Sequence, residues 1–169
     1  MTKKKLLFLG TRIETLKILK LYFNVTSIVT TKNSFIKKNN FKCLLINKKN
    51  KDIIFNKLIG MEIDILVSAG FPFLIPIEVL KKFKLSINCH PGELPKYKGY
   101  YSIDDAIKNK ETNFYSTIHS LNEKFDSGKK IFEAKINGKG LTEEQLKKTI
   151  FSTLEPFALF NALKKIGVI

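Results

Sequence analysis

Residues 86–99, SINCHPGELPKYKG, begin as a strand and break off abruptly. Ser86 and Ile87 continue the apolar run of LSINCH, yet Asn88 and His90 close it where a core strand would carry aliphatic side chains. Two residues apart on a strand, Asn88 and His90 face the same way, and Cys89 between them faces the opposite way into packing. Pro91 ends regular pairing and turns the chain out of a sheet. The strand end is therefore expected to form the floor of a pocket, with an amide and an imidazole directed into it. An amide donor, and an imidazole when protonated, can stabilise a developing oxyanion; a neutral imidazole can take a proton from an attacking amine.

Working outward, the same pattern of strand, glycine and helix recurs. KLLFL (5–9) runs into Gly10 and then TRIETLKILKLYF, whose apolar residues recur at helical spacing. Thr11 with Glu14 three residues on reads as a capping box at that junction. VTSIVT (25–30) and KCLLI (42–46) are two further strands, with TTKNSFIKKNN between them a loop or poorly formed helix. A helix is expected over 50–60, a buried strand over 64–69 ending before Gly70, and a short helix over 76–83 with Pro76 in its first turn. A helix over 102–109, strands over 114–121 and 130–136, the turn FDSG (125–128) and one long helix from Thr142 to about Lys165 complete the chain. Alternating elements with strands apolar throughout predict an α/β fold, a mostly parallel Rossmann-like sheet with helices on both faces. Ligands in such sheets bind beyond the carboxyl ends of the strands. Three strands end at suggestive places: GTR (10–12), GFPF (70–73) and NCHPG (88–92). The 169 residues fit a single domain, 1–169, with no linker or repeat dividing it.

Composition narrows the class. No apolar stretch approaches the roughly 18 residues of a membrane span, and LLFL is too short for a signal peptide, so the expected location is cytoplasmic. Cys43 and Cys89 lie in apolar runs without metal-like spacing and read as reduced core thiols. The net charge of +15 suggests anionic ligands, but Arg12 is the sole arginine and the lysines are dispersed, which argues against a dedicated nucleic-acid face. Asp126, in the FDSG turn, is a carboxylate that could orient the histidine and favour its charged form. From the residues alone, Asn-x-His at a strand end is more often a capped loop than a catalytic pair.

NCHPGELPKYKG resembles the signature of the folate-dependent formyltransferases, an Asn-x-His-Pro segment followed by Leu-Pro and a glycine. STIHSLNEKFDSGKKIF (116–132) resembles that family's second segment, Thr-x-His followed by Asp-x-Gly, and the 36-residue step from His90 to Asp126 agrees with the family's spacing. DILVSAGFPFLIPIEVL and KLLFLGTRIETLKIL resemble the segments before the signature, so the likeness covers roughly 4–136. The resemblance implies a formyltransferase catalytic core with N10-formyltetrahydrofolate as formyl donor and no metal. It implies Asn88, His90 and Asp126 as catalytic residues. The pterin would be held by Phe71, Pro72, Phe73 and Leu74 and by Asn122, Glu123 and Lys124. Gly10, Thr11, Arg12, Lys96, Lys98 and His119 would face the acceptor; His119 reads equally as a hydrogen-bonded strand histidine. Asp104 and Asp105 are solvated helix residues by default, with a sugar amine as the other reading.

Three acceptors are familiar in that family: glycinamide ribonucleotide, methionyl-tRNA and amino groups of nucleotide-linked sugars. With the chain ending at 169, no separate carboxyl-terminal domain for tRNA is expected. Gly92 after His-Pro, and GTRIET in place of a glycine-rich phosphate loop, favour a nucleotide-linked amino sugar, with phosphoribosylglycinamide formyltransferase as the alternative. A homodimer is compatible with this reading. A different class, a non-catalytic anion- or nucleic-acid-binding protein on the same fold, is opposed by the intact Asn, His and Asp set.

Overall fold

The structure is a computed structural model and describes residues 3–169. It consists of two compact units that divide between Ile87 and Asn88. The first unit runs β1 (Lys5–Gly10), α1 (Ile13–Tyr22), β2 (Asn24–Thr30), α2 (Phe35–Lys38), β3 (Leu44–Leu45), α3 (Lys51–Ile59), β4 (Ile65–Ala69) and α4 (Ile77–Leu80). Strand β5 (Leu85–His90) carries the boundary. The second unit continues with α5 (Ser102–Lys108), β6 (Asn113–Ser120), β7 (Lys130–Asn137), α6 (Glu143–Thr149), a π-helical turn (Ile150–Leu154) and α7 (Glu155–Lys165). The strands form a mostly parallel seven-stranded sheet in the order β3-β2-β1-β4-β5-β6-β7, the expected α/β class.

In the first unit β1 pairs in parallel with both β2 and β4. Leu6, Leu7, Phe8 and Leu9 are all fully buried, as is usual for a parallel strand covered on both faces. Gly10 ends β1 where a Cβ would lie 1.9 Å from the Ala69 carbonyl oxygen, so only glycine lets β1 and β4 close there. The capping box expected at Thr11 is absent. Arg12 is the N-cap of α1, and the Thr11 hydroxyl instead donates to the Gly70 carbonyl at 3.2 Å. A tertiary acceptor next door has won over the local cap. The stretch after β2 does form a helical turn, α2, because Ser34 Oγ accepts from the Lys37 amide at 3.2 Å. β3 is only two residues long, and Asn50 Nδ2 donates to the Leu45 carbonyl at 2.9 Å. The helix expected over 76–83 is cut to Ile77–Leu80, with Pro76 as its N-cap.

In the second unit β6 and β7 pair antiparallel, and the register shifts between Ile118 and His119. Such an irregularity re-aims the side chains beside it. Helix α6 opens with the capping box of Thr142 and Gln145. The single helix expected to Lys165 is instead interrupted by the π-helical turn just ahead of buried Pro156. Proline has no amide hydrogen and its ring crowds the preceding turn, so a wider turn there accommodates it. Helix α7 then buries Ala158, Leu159, Ala162 and Leu163 and packs on β6 and β7. Among the described residues no helix is long and apolar enough to cross a membrane.

Candidate active site

The site is assembled within the second unit, from the end of β5, the end of β6 and the loop that follows it. β5 delivers Asn88 and His90, and β6 delivers His119. Asp126 sits in the connection to β7 at φ +47°, a left-handed conformation that aspartate tolerates better than most residues. Gly128 lets that connection lie flat on the end of β6, since a Cβ there would fall 1.6 Å from the Ser120 carbonyl oxygen. Asn122 shapes the same loop, its Oδ1 accepting from the Lys124 amide at 3.1 Å and from the Ser127 hydroxyl at 2.8 Å.

These residues converge on Asp126. Its Oδ1 accepts from Asn88 Nδ2 at 3.3 Å, and its Oδ2 accepts from the Gly99 amide at 2.8 Å. His90 Nδ1 lies 3.3 Å from Oδ2 and His119 Nε2 lies 3.4 Å from Oδ1. The carbonyl partners identify the protons. His119 Nδ1 is 2.8 Å from the Ser120 carbonyl, so that nitrogen donates, and Nε2 lies 3.2 Å from Asn88 Nδ2 and 3.4 Å from Asp126 Oδ1. His90 Nε2 is 2.6 Å from the Tyr97 carbonyl and must likewise donate. In neutral His90 the lone pair therefore sits on Nδ1, facing Asp126. That is the atom that gains a proton, and the adjacent carboxylate stabilises the cation formed.

Electrostatics supports this division. Burial lowers the His90 pKa and outweighs the raising effects of Asp126 and of the Tyr97 carbonyl, so the ring is neutral at neutral pH. For Asp126, burial works upward, but the neighbouring His119 and His90 imidazoles and the Gly99 amide hold its carboxyl below the usual carboxylate range. His90 is 3% exposed and both its nitrogens are engaged within the protein. It does not present a free nitrogen to an open pocket, as the strand pattern suggested; its proton chemistry runs toward Asp126.

The signature loop serves as the frame for His90. The Pro91 carbonyl accepts from Ser102 Oγ at 3.0 Å and the Gly92 carbonyl from Thr117 Oγ1 at 2.7 Å. A Cβ on Gly92 would lie 2.7 Å from His90 Nε2 and 2.8 Å from the Tyr97 carbonyl oxygen, against the two atoms of the bond that orients the ring. Gly92 thus has a structural reason to be glycine that is independent of any acceptor. We expect Gly92→Ala to displace His90 and to destabilise the second unit by about 1–3 kcal/mol, as overpacking does elsewhere. Thermal denaturation checks this, and an unchanged melting temperature with the His90 resonances unmoved would contradict it.

A family model described as formyl transferase matches residues 24–163. The chain belongs to the formyl transferase family. Over 91 residues it is 31% identical to the phosphoribosylglycinamide formyltransferase of Haemophilus influenzae, a match covering 53% of this chain and 43% of that protein. Over 92 residues it is 36% identical to the methionyl-tRNA formyltransferase of Mycoplasma mycoides subsp. mycoides, covering 54% of this chain and 28% of that protein. The match thus spans less than half the length of either curated relative. The fold is similar to the crystal structure of phosphoribosylglycinamide formyltransferase from Campylobacter jejuni, with a TM-score of 0.80, 22% identity, and 99% and 98% of the two chains covered.

The other residues singled out in this family member are placed as follows. In the first unit Gly10 lies against Ala69, and Thr11 and Arg12 lie against Gly70, where a Cβ would fall 2.8 Å from Thr11 Oγ1 and 3.2 Å from Arg12 Nε. Phe71 packs edge-on against Phe55 and Phe73, at 6.4 and 5.7 Å, while Pro72 and Leu74 are exposed. In the second unit Glu123, Lys124 and Lys98 are exposed, and Lys96 is paired with Glu111 at 2.6 Å. Asp104 is paired with Lys147 of α6 at 2.5 Å. Four contributors escaped the sequence reading: the Tyr97 carbonyl and the Gly99 amide, which are backbone groups, and Thr117 and Glu111. Only Thr117 left a trace, as the first residue of Thr-x-His.

Proposed function

We propose that this protein transfers a formyl group from N10-formyltetrahydrofolate to the amine of glycinamide ribonucleotide, with Asn88, His90 and Asp126 as its catalytic residues. The observation that carries the reading is the convergence of Asn88 and His90 on the Asp126 carboxylate, at 3.3 Å each. The donor supplies the formyl carbon that the amine attacks. Asn88 is the neutral donor for the oxygen that gains charge in that attack. Its two present bonds, 3.2 and 3.3 Å, are long and therefore readily exchanged for a stronger acceptor. His90 Nδ1 takes the proton that the amine loses, and Asp126 holds the resulting cation in place. As the tetrahedral adduct collapses, the bond from the formyl carbon to N10 breaks, and that proton passes to N10 of the departing tetrahydrofolate. The buried, polar character of the cluster suits a folate formyl group, and Asn122, Glu123 and Lys124 of the same unit are proposed as its contacts.

Three things support glycinamide ribonucleotide over a nucleotide-linked amino sugar. Phosphoribosylglycinamide formyltransferases appear among both the sequence relatives and the solved structures of similar fold. The likeness in fold extends along nearly the whole of the Campylobacter enzyme. Gly92, which had favoured the sugar, is accounted for by His90 packing. The test offers the donor with glycinamide ribonucleotide, methionyl-tRNA, and nucleotide-linked 3-amino and 4-amino sugars, following tetrahydrofolate release. Glycinamide ribonucleotide is expected to give the highest kcat/KM. A higher value for a sugar or for tRNA would overturn the acceptor, and no release with any of them would overturn formyl transfer.

A further inference from the structure

The geometry points to Glu111, acting through Tyr97, as a positioning residue that selects which nitrogen of His90 carries the proton. This inference rests on the catalytic reading of His90 above. In neutral His90 one proton is contested by two acceptors, the Tyr97 carbonyl at Nε2 and the Asp126 carboxylate at Nδ1. A carboxylate is intrinsically the stronger acceptor. Left to itself, the ring would place its proton on Nδ1 and donate to Asp126. It would then have no basic nitrogen on the side where the cation must form.

The protein counters this by fixing the carbonyl close to Nε2. Tyr97 is held at three points. Its amide donates to the Glu93 carbonyl at 2.8 Å, its hydroxyl donates to Glu111 Oε1 at 2.7 Å, and Asn109 Nδ2 donates to that hydroxyl at 3.1 Å. The ring is 7% exposed, so it cannot swing away. Glu111 is fixed in turn. Lys96 Nζ donates to the same Oε1 at 2.6 Å and lies 5.2 Å from the Tyr97 ring centroid, and the Glu111 amide donates to the Ala106 carbonyl at 3.0 Å. The Lys96 bond first, and then the Tyr97 hydroxyl, hold the Glu111 carboxyl below its usual range, so it is a charged acceptor throughout the working pH range. Asn109 and Glu111 both follow the last turn of α5, so the end of that helix anchors the carbonyl that orients His90. Gly92 supplies the space, and the Tyr97–Glu111 pair supplies the restraint.

The chain has two histidines, which makes the measurement direct. Long-range 1H–15N correlation on histidine-labelled protein reads the tautomer of each ring, with His119 as the internal reference. The wild type is expected to show His90 protonated at Nε2. Tyr97→Phe and Glu111→Gln are each expected to move a measurable fraction of His90 to the Nδ1–H form. In the transfer assay both variants should lower kcat about 3- to 10-fold, the size of one weakened hydrogen bond, with KM little changed. An unchanged His90 tautomer in both variants would overturn the proposal. So would a wild type already protonated at Nδ1. Because the tautomer is read without substrate, a wild type that fails to transfer formyl would count against the proposed function alone.

Discussion

Asp126→Asn is expected to lower formyl transfer by about 10²- to 10⁴-fold, the range general acid–base groups contribute, with the fold intact. The substitution is chosen for what it preserves. Asparagine tolerates the left-handed backbone at φ +47° and occupies the same volume, and its amide oxygen can still accept from the Gly99 amide. What it removes is the charge 3.3 Å from His90 Nδ1. Asp126 raises the His90 pKa, so its loss must lower that pKa further. The acid limb of kcat/KM, which lies below the ordinary histidine value of 6.5 in the wild type, should therefore move to lower pH in the variant while the plateau falls. Stability follows the same sign. The depressed pKa of Asp126 contributes stability that is present above 3.8 and is lost as pH falls through the folded value, and the variant should lack that loss. A pH–rate profile with parallel thermal melts checks both. A limb that moved upward, or a plateau within a few fold of wild type, would contradict the role given to Asp126.

Much of this was legible in the residues, and the parts that were not share a cause. The apolar runs of β1, β4 and β5 declared themselves because strands covered on both faces need no alternation. Asn88 and His90 stood out because polar side chains at the end of such a run need a reason. The helix start at Thr142 was read correctly because the residues that cap it, Thr142 and Gln145, are local. The capping box at Thr11 was not, because its hydroxyl found the Gly70 carbonyl, 59 residues away in sequence. The π-helical turn ahead of Pro156 was invisible to a reading based on periodicity, which registers apolar spacing but not the width of a turn. The groups that orient His90 are chiefly a backbone carbonyl and the absence of a side chain, at Tyr97 and Gly92, and neither leaves a chemical signature in a sequence. Gly92 was accordingly read as a mark of the acceptor when its neighbours already require it.

His90→Ala bears on the whole scheme, because it removes the only atom assigned to hold the proton. The ring is almost wholly buried, so its loss leaves the Tyr97 carbonyl without its donor and costs about 1–3 kcal/mol of stability, enough to lower the melting temperature without unfolding the protein. Asp126 keeps the Gly99 amide and Asn88, so the remainder of the cluster stays assembled. The loss should therefore fall on the chemical step, by about 10²- to 10⁴-fold, and leave donor binding nearly unchanged. The most direct measurement is single-turnover transfer of an isotopically labelled formyl group from N10-formyltetrahydrofolate to glycinamide ribonucleotide, with donor affinity measured alongside. The wild type should place the label on the acceptor amine, and His90→Ala should bind the donor but transfer at least about a hundredfold more slowly. Transfer by His90→Ala at a near wild-type rate, or label released by the wild type only as formate, would contradict the account.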